Sequence, residues 1–357
     1  ASAATQPALG DEGAFPDLGG AVGWINSPSL SAKSLRGKVV LIDFWTYSCI
    51  NCIHTIPAVK ELEKKFGNGL VVIGVHSPKY DSEKSDASVT SATHRYGIDH
   101  PVVTDPEIKL WREYKVDFWP TFVLIDPGGN VVGGISGDSH MDRLEREVGK
   151  LIAQARQNHQ LDEQKQVYAP VAADAGAPAA TLRYPEKITA DKRTDRIYIA
   201  DSGHNRIVVT GTAGNIVDTI GSGTAGLADG SFTAAQFNYP QGLALSGRTL
   251  YICDSQNNCV RVADLDSRTV KTLAGTGKRA MLKDTGGRAL ATDLDTPVDL
   301  VKVGDLLYVS MNGLHQIWCL DLKNQMIKPV AGSGIEDLTD GSATEAKLAQ
   351  PDGITSD

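Results

Sequence analysis

The second half of the chain repeats itself. Gly221-Ser-Gly-Thr, Asp229-Gly230 and Phe237-Asn-Tyr-Pro240-Gln-Gly242-Leu recur in order as Gly332-Ser-Gly-Ile, Asp340-Gly341 and Leu348-Ala-Gln-Pro351-Asp-Gly353-Ile. A weaker copy runs through Ala274-Gly-Thr-Gly and Leu294-Asp-Thr-Pro297-Val-Asp-Leu. The prolines at 185, 240, 297 and 351 set a period of 54 to 57 residues. Each of the first three is followed by a strand-like run: Ile197-Tyr-Ile-Ala-Asp201, Leu250-Tyr-Ile-Cys-Asp254 and Leu307-Tyr-Val-Ser-Met311. A unit of several short strands and Gly/Asn/Asp turns cannot bury its faces alone, whereas stacked copies can. This is the pattern of propeller blades. Closed propellers typically hold roughly four to eight blades, and the chain stops six residues after Pro351. The expectation is an incomplete, all-β propeller over residues 181–357: about three blades and the start of a fourth, cut from a longer protein.

The first half reads differently. Residues 1–15 are rich in Ala and Gly and aperiodic, a flexible tail. From 16 to 158 strands and helices alternate, an α/β layer arrangement. Residues 38–45 form a buried strand. Residues 52–66 carry apolar side chains at Ile53, Ile56, Val59, Leu62 and Phe66, a helical stripe closed by Gly67. Residues 70–75 are a second strand, 85–96 a helix, 101–104 a short strand and 108–114 a helix. Segments 121–126 and 130–135 flank Pro127-Gly128-Gly129, a hairpin signal. Residues 141–158 finish as a charged helix. An Ala/Pro-rich stretch at 159–180 reads as a linker between the two domains.

Bulk properties narrow the function. A chain of 357 residues fits two domains, and no apolar run approaches the roughly 20 residues that span a bilayer, so no membrane insertion is expected. A net charge of −8, with 18 Lys/Arg against 21 Asp/Glu in 181–357, gives no concentrated positive surface for nucleic acid. Five cysteines, at 49, 52, 253, 259 and 319, are too few and too sparse for a disulfide framework. The opening Ala-Ser-Ala-Ala-Thr, without Met, is compatible with a removed signal peptide. It leans the reading toward an extracytoplasmic, periplasmic location and leaves the cytoplasm open.

Chemistry concentrates in Asp43-Phe-Trp45-Thr-Tyr-Ser-Cys49-Ile-Asn-Cys52-Ile-His-Thr-Ile-Pro57. This run places Cys-x-x-Cys between a buried strand and a helix. The first cysteine then sits at a helix N-terminus, where unpaired N–H groups and the macrodipole favour the thiolate that attacks disulfides. Cys52, one turn further in, is placed to resolve a mixed disulfide. A zinc site would need two more ligands; His54 and His76 are candidates without supporting spacing, and no metal or cofactor is called for. His54 reads as solvent-facing. Cys253 and Cys259 flank a turn and read as buried thiols, with a bridge as the other option; Cys319 reads as packing.

This segment resembles the thioredoxin superfamily. The resemblance implies that Asp43, six residues before Cys49, is the buried acid serving the resolving thiol. It matches Trp45 to the family tryptophan and Pro57 to the helix-kinking proline. It makes Trp119-Pro120-Thr121 the cis-proline loop that binds substrate backbone. The catalytic set so implied is Cys49, Cys52, Asp43 and Pro120, with Trp45, Trp119 and Thr121 contacting substrate. Ile50-Asn51 departs from the Gly-Pro of thioredoxins, so the direction of electron flow does not carry over. Residues 76–114 resemble the insertion of the TlpA-like and peroxiredoxin-like branches, although Ile42 stands where a peroxiredoxin motif needs proline. The blades resemble NHL repeats, through Phe237-Asn-Tyr-Pro-Gln-Gly-Leu-Ala244 and Leu250-Tyr-Ile-Cys-Asp254. The combination resembles proteins that join a thioredoxin-like domain to an NHL propeller. It implies a thiol–disulfide oxidoreductase acting on a protein substrate or redox partner, with the propeller as a protein-binding platform. The alternative is a redox-silent interaction scaffold.

Overall fold

A computed structural model describes Leu18 and residues 23–165, 167–168, 181–280 and 285–357. The tail at 1–15 and the second half of the expected linker lie outside the described residues. The chain divides into two compact units, Ala1–Pro178 and Ala179–Asp357. No helix among the described residues is long and apolar enough to cross a membrane.

The first unit is built from β1 (Gly23–Ile25), α1 (Ala32–Leu35), β2 (Val39–Trp45), α2 (Ile50–Phe66), β3 (Leu70–His76), α3 (Asp86–Arg95), β4 (Val102–Thr104), α4 (Lys109–Glu113), β5 (Thr121–Ile125), β6 (Val131–Ser136) and α5 (Met141–Gln157). One six-stranded sheet runs β1-β4-β3-β2-β5-β6. Both β2 and β3 are buried along their whole length and pair in parallel; β5 runs antiparallel to β2. A strand covered on both faces must be apolar throughout, and β2 reads Val-Val-Leu-Ile-Asp-Phe-Trp. Asp43 is its one ionisable exception.

Alternation along β2 sorts its side chains. Val40, Ile42 and Phe44 enter one core with Val71, Ile73 and Val75. Val39 and Leu41 enter the opposite core with Val59 and Leu62 of α2 and Leu144, Val148 and Ile152 of α5. Each fully buried Leu, Ile or Val contributes on the order of 1.5–3 kcal/mol relative to exposure, so these rows fix the height and rotation of α2. Pro57 lies inside α2 and Gly67 ends it, at φ 49° with its N–H donating to Glu63 O. The turn between β5 and β6 is Asp126–Asn130, with the Asn130 N–H donating to Asp126 Oδ1.

The chain after α5 does not leave this unit at once. Asp162 N–H donates to Gly37 O at 2.8 Å, and buried Lys38 donates through Nζ to Asn68 O and Asp162 O at 2.6 and 2.5 Å. Val167 and Tyr168 pack on the core. The beginning of the stretch read as linker is thus part of the first unit, tied by backbone acceptors around a buried ammonium.

The described residues of the second unit form three antiparallel sheets. The first is β7 (Pro185–Asp191), β8 (Arg196–Asp201), β9 (Arg206–Gly211) and β10 (Ile216–Ile220), in the order β10-β9-β8-β7. The second adds β11 (Gly230–Ser231) to β12 (Pro240–Ser246), β13 (Thr249–Asp254), β14 (Cys259–Asp264) and β15 (Thr269–Ala274), ordered β11-β15-β14-β13-β12. The third repeats it with β16 (Gly287–Arg288), β17 (Pro297–Val303), β18 (Leu306–Met311), β19 (Gln316–Asp321) and β20 (Met326–Ala331), ordered β16-β20-β19-β18-β17. No closed barrel forms among the described residues. Apolar clusters fill the spaces between successive sheets, Ile207 and Val209 meeting Leu243 and Ile252, and Tyr251 and Val260 meeting Leu300 and Val309.

A polar clasp recurs at each junction. The residue before each repeat proline has positive φ: Tyr184, Tyr239, Thr296 and Gln350. Its N–H is taken by a side chain of the preceding repeat, Asn205 for Tyr239 (2.9 Å), Asn258 for Thr296 (3.0 Å) and His315 for Gln350 (3.3 Å). Ser202 and Ser255 donate to Pro240 O and Pro297 O of the next repeat. Within a repeat, Asp201 and Asp254 accept from the N–H groups of Arg183 and Asn238. The period in the sequence is therefore a period of backbone satisfaction as well as of packing. Cys253 pairs with Val260 and Asp254 with Cys259, so the two cysteines point to opposite faces of the hairpin and stay unbridged.

Candidate active site at the head of helix α2

The buried strand β2 delivers Asp43 and Trp45 and ends at Thr46. Cys49 is the N-cap of α2, in extended conformation at φ −93° and ψ 109°, and makes no side-chain cap bond. Its N–H donates to Thr46 O at 3.2 Å. Cys52 lies in the first helical turn. Both cysteines are unbridged, and each is only 1% exposed. They share one apolar cluster with Trp45, Ile56 and Val102, against which Tyr47 and Trp119 pack.

The Trp119–Pro120 peptide bond is cis. Thr121 follows at the start of β5, opposite Phe44 of β2, so the loop stands beside the strand end that carries Trp45. Trp119 donates from Nε1 to Ser77 O at 3.0 Å, and its ring centroid lies 4.1 Å from that of Trp111. Thr121 Oγ1 donates to Phe118 O at 2.8 Å. The chain thus brings Asp43, Trp45, Cys49, Cys52, Trp119, Pro120 and Thr121 to one end of the sheet.

Electrostatics single out Asp43 and Cys52. Asp43 is 5% exposed and its Oδ1 has no hydrogen-bond partner among the described residues. Burial pushes its carboxyl up to about 7; His100 acts downward on it and Glu63 upward. Burial also pushes the Cys52 thiol well above its usual range, helped by the hydrogen bond and charge of Cys49 and by the charge of Asp43, with the Thr46 backbone N–H opposing. A thiol reluctant to ionise thus lies within the field of an acid that titrates near neutrality, a pairing suited to moving a proton at Cys52 Sγ.

Two clusters escaped the sequence. Glu83, 1% exposed, accepts through Oε2 from Thr46 Oγ1 and from the Lys79 N–H, both at 2.7 Å, and so ties the loop before Cys49 to the insertion. Beside it, burial pushes His76 down to about 4, Glu83 opposing, and its ring lies edge-on to Trp45 and stacked on Tyr47. The second cluster is His100 with Glu63. Neither glutamate stands in a motif, and each finds its partner 37 residues away. His54 requires a correction: its side chain is 11% exposed, not solvent-facing, with Nδ1 3.5 Å from Asp138 Oδ2 of the loop after β6. Among the described residues no group of three or more His, Cys, Asp or Glu side chains is arranged to hold a metal ion.

Both units have relatives among known proteins. Residues 37–131 match the family model described as thioredoxin-like, and residues 182–209 and 237–263 match that of the NHL repeat. NHL repeat-containing protein 2 of Gallus gallus is 36% identical over 364 residues, which cover 95% of this chain and 50% of that protein. Protein DipZ of Mycobacterium tuberculosis is 41% identical over 148 residues, 40% of this chain and 21% of that one. The thiol-disulfide oxidoreductase ResA of Bacillus thuringiensis is 31% identical over 127 residues, 36% of this chain and 71% of that one. The chain spans about half the length of NHL repeat-containing protein 2. With a thioredoxin-like unit followed by NHL repeats, the chain is homologous to NHL repeat-containing protein 2 and belongs, through its first unit, to the family of thioredoxin-like thiol–disulfide oxidoreductases.

Proposed function

We propose that the chain exchanges disulfides with a protein partner through Cys49 and Cys52, and that the NHL repeats supply a binding platform for that partner. The observation that carries the reading is Cys52 in the first turn of α2, within the field of the buried, near-neutral acid Asp43 and packed with Trp119 next to the cis Trp119–Pro120 bond.

Cys49 is the attacking group. Its thiolate displaces one sulfur of a partner disulfide, forming a Cys49–partner bond and releasing a partner thiolate. Asp43 then takes the proton of Cys52, whose thiolate attacks Cys49 Sγ. The Cys49–Cys52 bond forms, the mixed disulfide breaks, and the second partner thiolate leaves to be protonated. The same steps in reverse oxidise a partner. Pro120 and Thr121 dock the partner backbone, while Trp45 and Trp119 wall the sulfurs.

A second reading, a redox-silent scaffold, draws on the burial of both sulfurs, each 1% exposed. Trapping separates the two. Cys52→Ser leaves the attacking thiol without its resolver, so a partner protein is expected to accumulate on Cys49 as a mixed disulfide that dithiothreitol releases. The double variant Cys49→Ser/Cys52→Ser is expected to trap none. Equal recovery of partners by both variants, insensitive to reductant, favours the scaffold.

A further inference from the structure

Asp43 is a carboxyl inside an apolar layer, and a group so placed ionises only if something nearby favours the charge. The sheet register shows what lies within reach. Asp43 pairs with Gly74 of β3, and Gly74 with Val102 of β4. Side chains at such aligned positions stand on one face. That face lies under α2, because Trp45, two residues on from Asp43, clusters with Cys52 and Val102. Gly74 adds no side chain to the row. A Cβ there would meet Trp45 Nε1 at 3.0 Å, so the glycine makes room for the indole edge over β3.

His100 sits two residues before Val102 and is 4% exposed. Asn26 Nδ2 donates to its carbonyl oxygen at 3.1 Å, and its Nδ1 lies 3.1 Å from Glu63 Oε2. Glu63 belongs to α2, three turns beyond Cys52. The imidazole is therefore held between the sheet and the helix, in the layer that contains Asp43 and Cys52, and no step of the exchange chemistry given above uses it.

We propose that His100, clasped by Glu63, is a positioning residue for the exchange reaction: its ring, held in the buried layer beneath α2, favours the carboxylate form of Asp43 and so lets Asp43 take the proton of Cys52. The proposal rests on the assignment of Asp43 as the proton acceptor. In the step it serves, the proton passes from Cys52 Sγ to the Asp43 carboxylate, the Cys49–Cys52 bond forms, and the bond from Cys49 to the partner breaks. After burial, His100 is the strongest influence on Asp43 and acts to lower its proton affinity, while Glu63 opposes it. The pair also lines a surface cavity of about 370 Å³. The other charged or titratable groups facing it are Lys60 of α2, Asp99 of its own loop, Lys38 ahead of β2, and Lys165 and Tyr168 after α5. Lys60 Nζ is engaged by Tyr96 O at 3.0 Å, and Lys38 Nζ by Asn68 O and Asp162 O.

The test follows the reduced chain reacting with oxidised glutathione from pH 5 to 9. Acid quenching, alkylation and mass spectrometry separate formation of the Cys49–glutathione bond from its resolution by Cys52. In the unaltered chain the resolution rate is expected to rise through a midpoint near 7, the value at which Asp43 titrates. In His100→Asn that midpoint moves up by about one pH unit, and resolution at pH 7 slows about fivefold. Formation of the mixed disulfide keeps its rate. His100→Gln, which keeps a hydrogen-bonding side chain of nearer length to meet Glu63, is expected to shift the midpoint equally. Profiles of both variants that superimpose on the unaltered chain overturn the role of His100. Asp43→Asn is the control for the underlying assignment: a limb that persists at its original midpoint there overturns the role of Asp43, and the proposal with it.

Discussion

Cys49→Ser is expected to reduce disulfide exchange to the background rate while leaving the fold intact. A hydroxyl cannot form the covalent bond to sulfur on which the reaction runs, and at neutral pH it is not ionised. No other cysteine substitutes for it. Cys253, Cys259 and Cys319 belong to the second unit, where burial raises all three thiols, Cys259 to about 12. Cys52 is itself pushed upward by its burial. The loss is not expected to come from structural damage, because Cys49 is the N-cap of α2 and makes no side-chain cap bond. Serine is among the preferred N-cap residues and typically stabilises a helix by about 1 kcal/mol relative to a non-capping residue. Turnover measured alongside the thermal midpoint checks both halves of the expectation. Full activity in Cys49→Ser would leave the chain as a scaffold.

Asp43→Asn is expected to do two opposite things: stabilise the protein above neutral pH and slow the resolution of mixed disulfides. In the unfolded chain Asp43 loses its proton near 3.8, but in the folded chain near 7. Between these values the folded state binds more protons than the unfolded one, so stability falls as pH rises through the interval. At about 1.4 kcal/mol per pH unit the accumulated cost above pH 7 is on the order of 4 kcal/mol. Asparagine carries no charge to desolvate and removes that slope. Denaturant unfolding should therefore show a gain for Asp43→Asn that is larger at pH 8 than at pH 5 by roughly 3 kcal/mol, the two pH units from 5 to 7 at about 1.4 kcal/mol each. Equal gains at both pH values would mean that Asp43 does not titrate in this interval. A residue that costs stability where it ionises, yet acts on the Cys52 thiol, is the pattern expected of a group kept for chemistry.

Periodicity made much of this legible. The uninterrupted apolar run of β2 and β3, the stripe of α2 closed by Gly67 and the Pro-Gly-Gly hairpin each follow from local rules, and each forms close to its expected span. The repeat was readable because the same turn, the same strand and the same proline return about every 55 residues. β1 and α1 leave no signal in the sequence: with three and four residues they are too short to show a period, and they form by docking onto β4 and the core. Asn205 and Asn258 stood at matching places in the repeats, but their task, holding the backbone of the next blade, depends on that blade's position. Glu83, His100 and Glu63 were invisible for a related reason. Each matters through one contact between distant segments, and a single charged residue in an aperiodic stretch reads as solvated surface until the fold buries it. His54 looks solvent-facing in the sequence because no helical period reveals that the loop carrying Asp138 covers this part of α2.

The most direct test is the redox equilibrium of the thiol pair. The chain is equilibrated against glutathione buffers of graded poise, quenched, alkylated and weighed by mass spectrometry. Under disulfide exchange through this pair, Cys49 and Cys52 are expected to change together as a reversible two-electron couple, with a midpoint between about −270 mV, typical of a reductant, and about −120 mV, typical of an oxidant. A pair that stays dithiol at every poise, or a disulfide that never reduces, contradicts it.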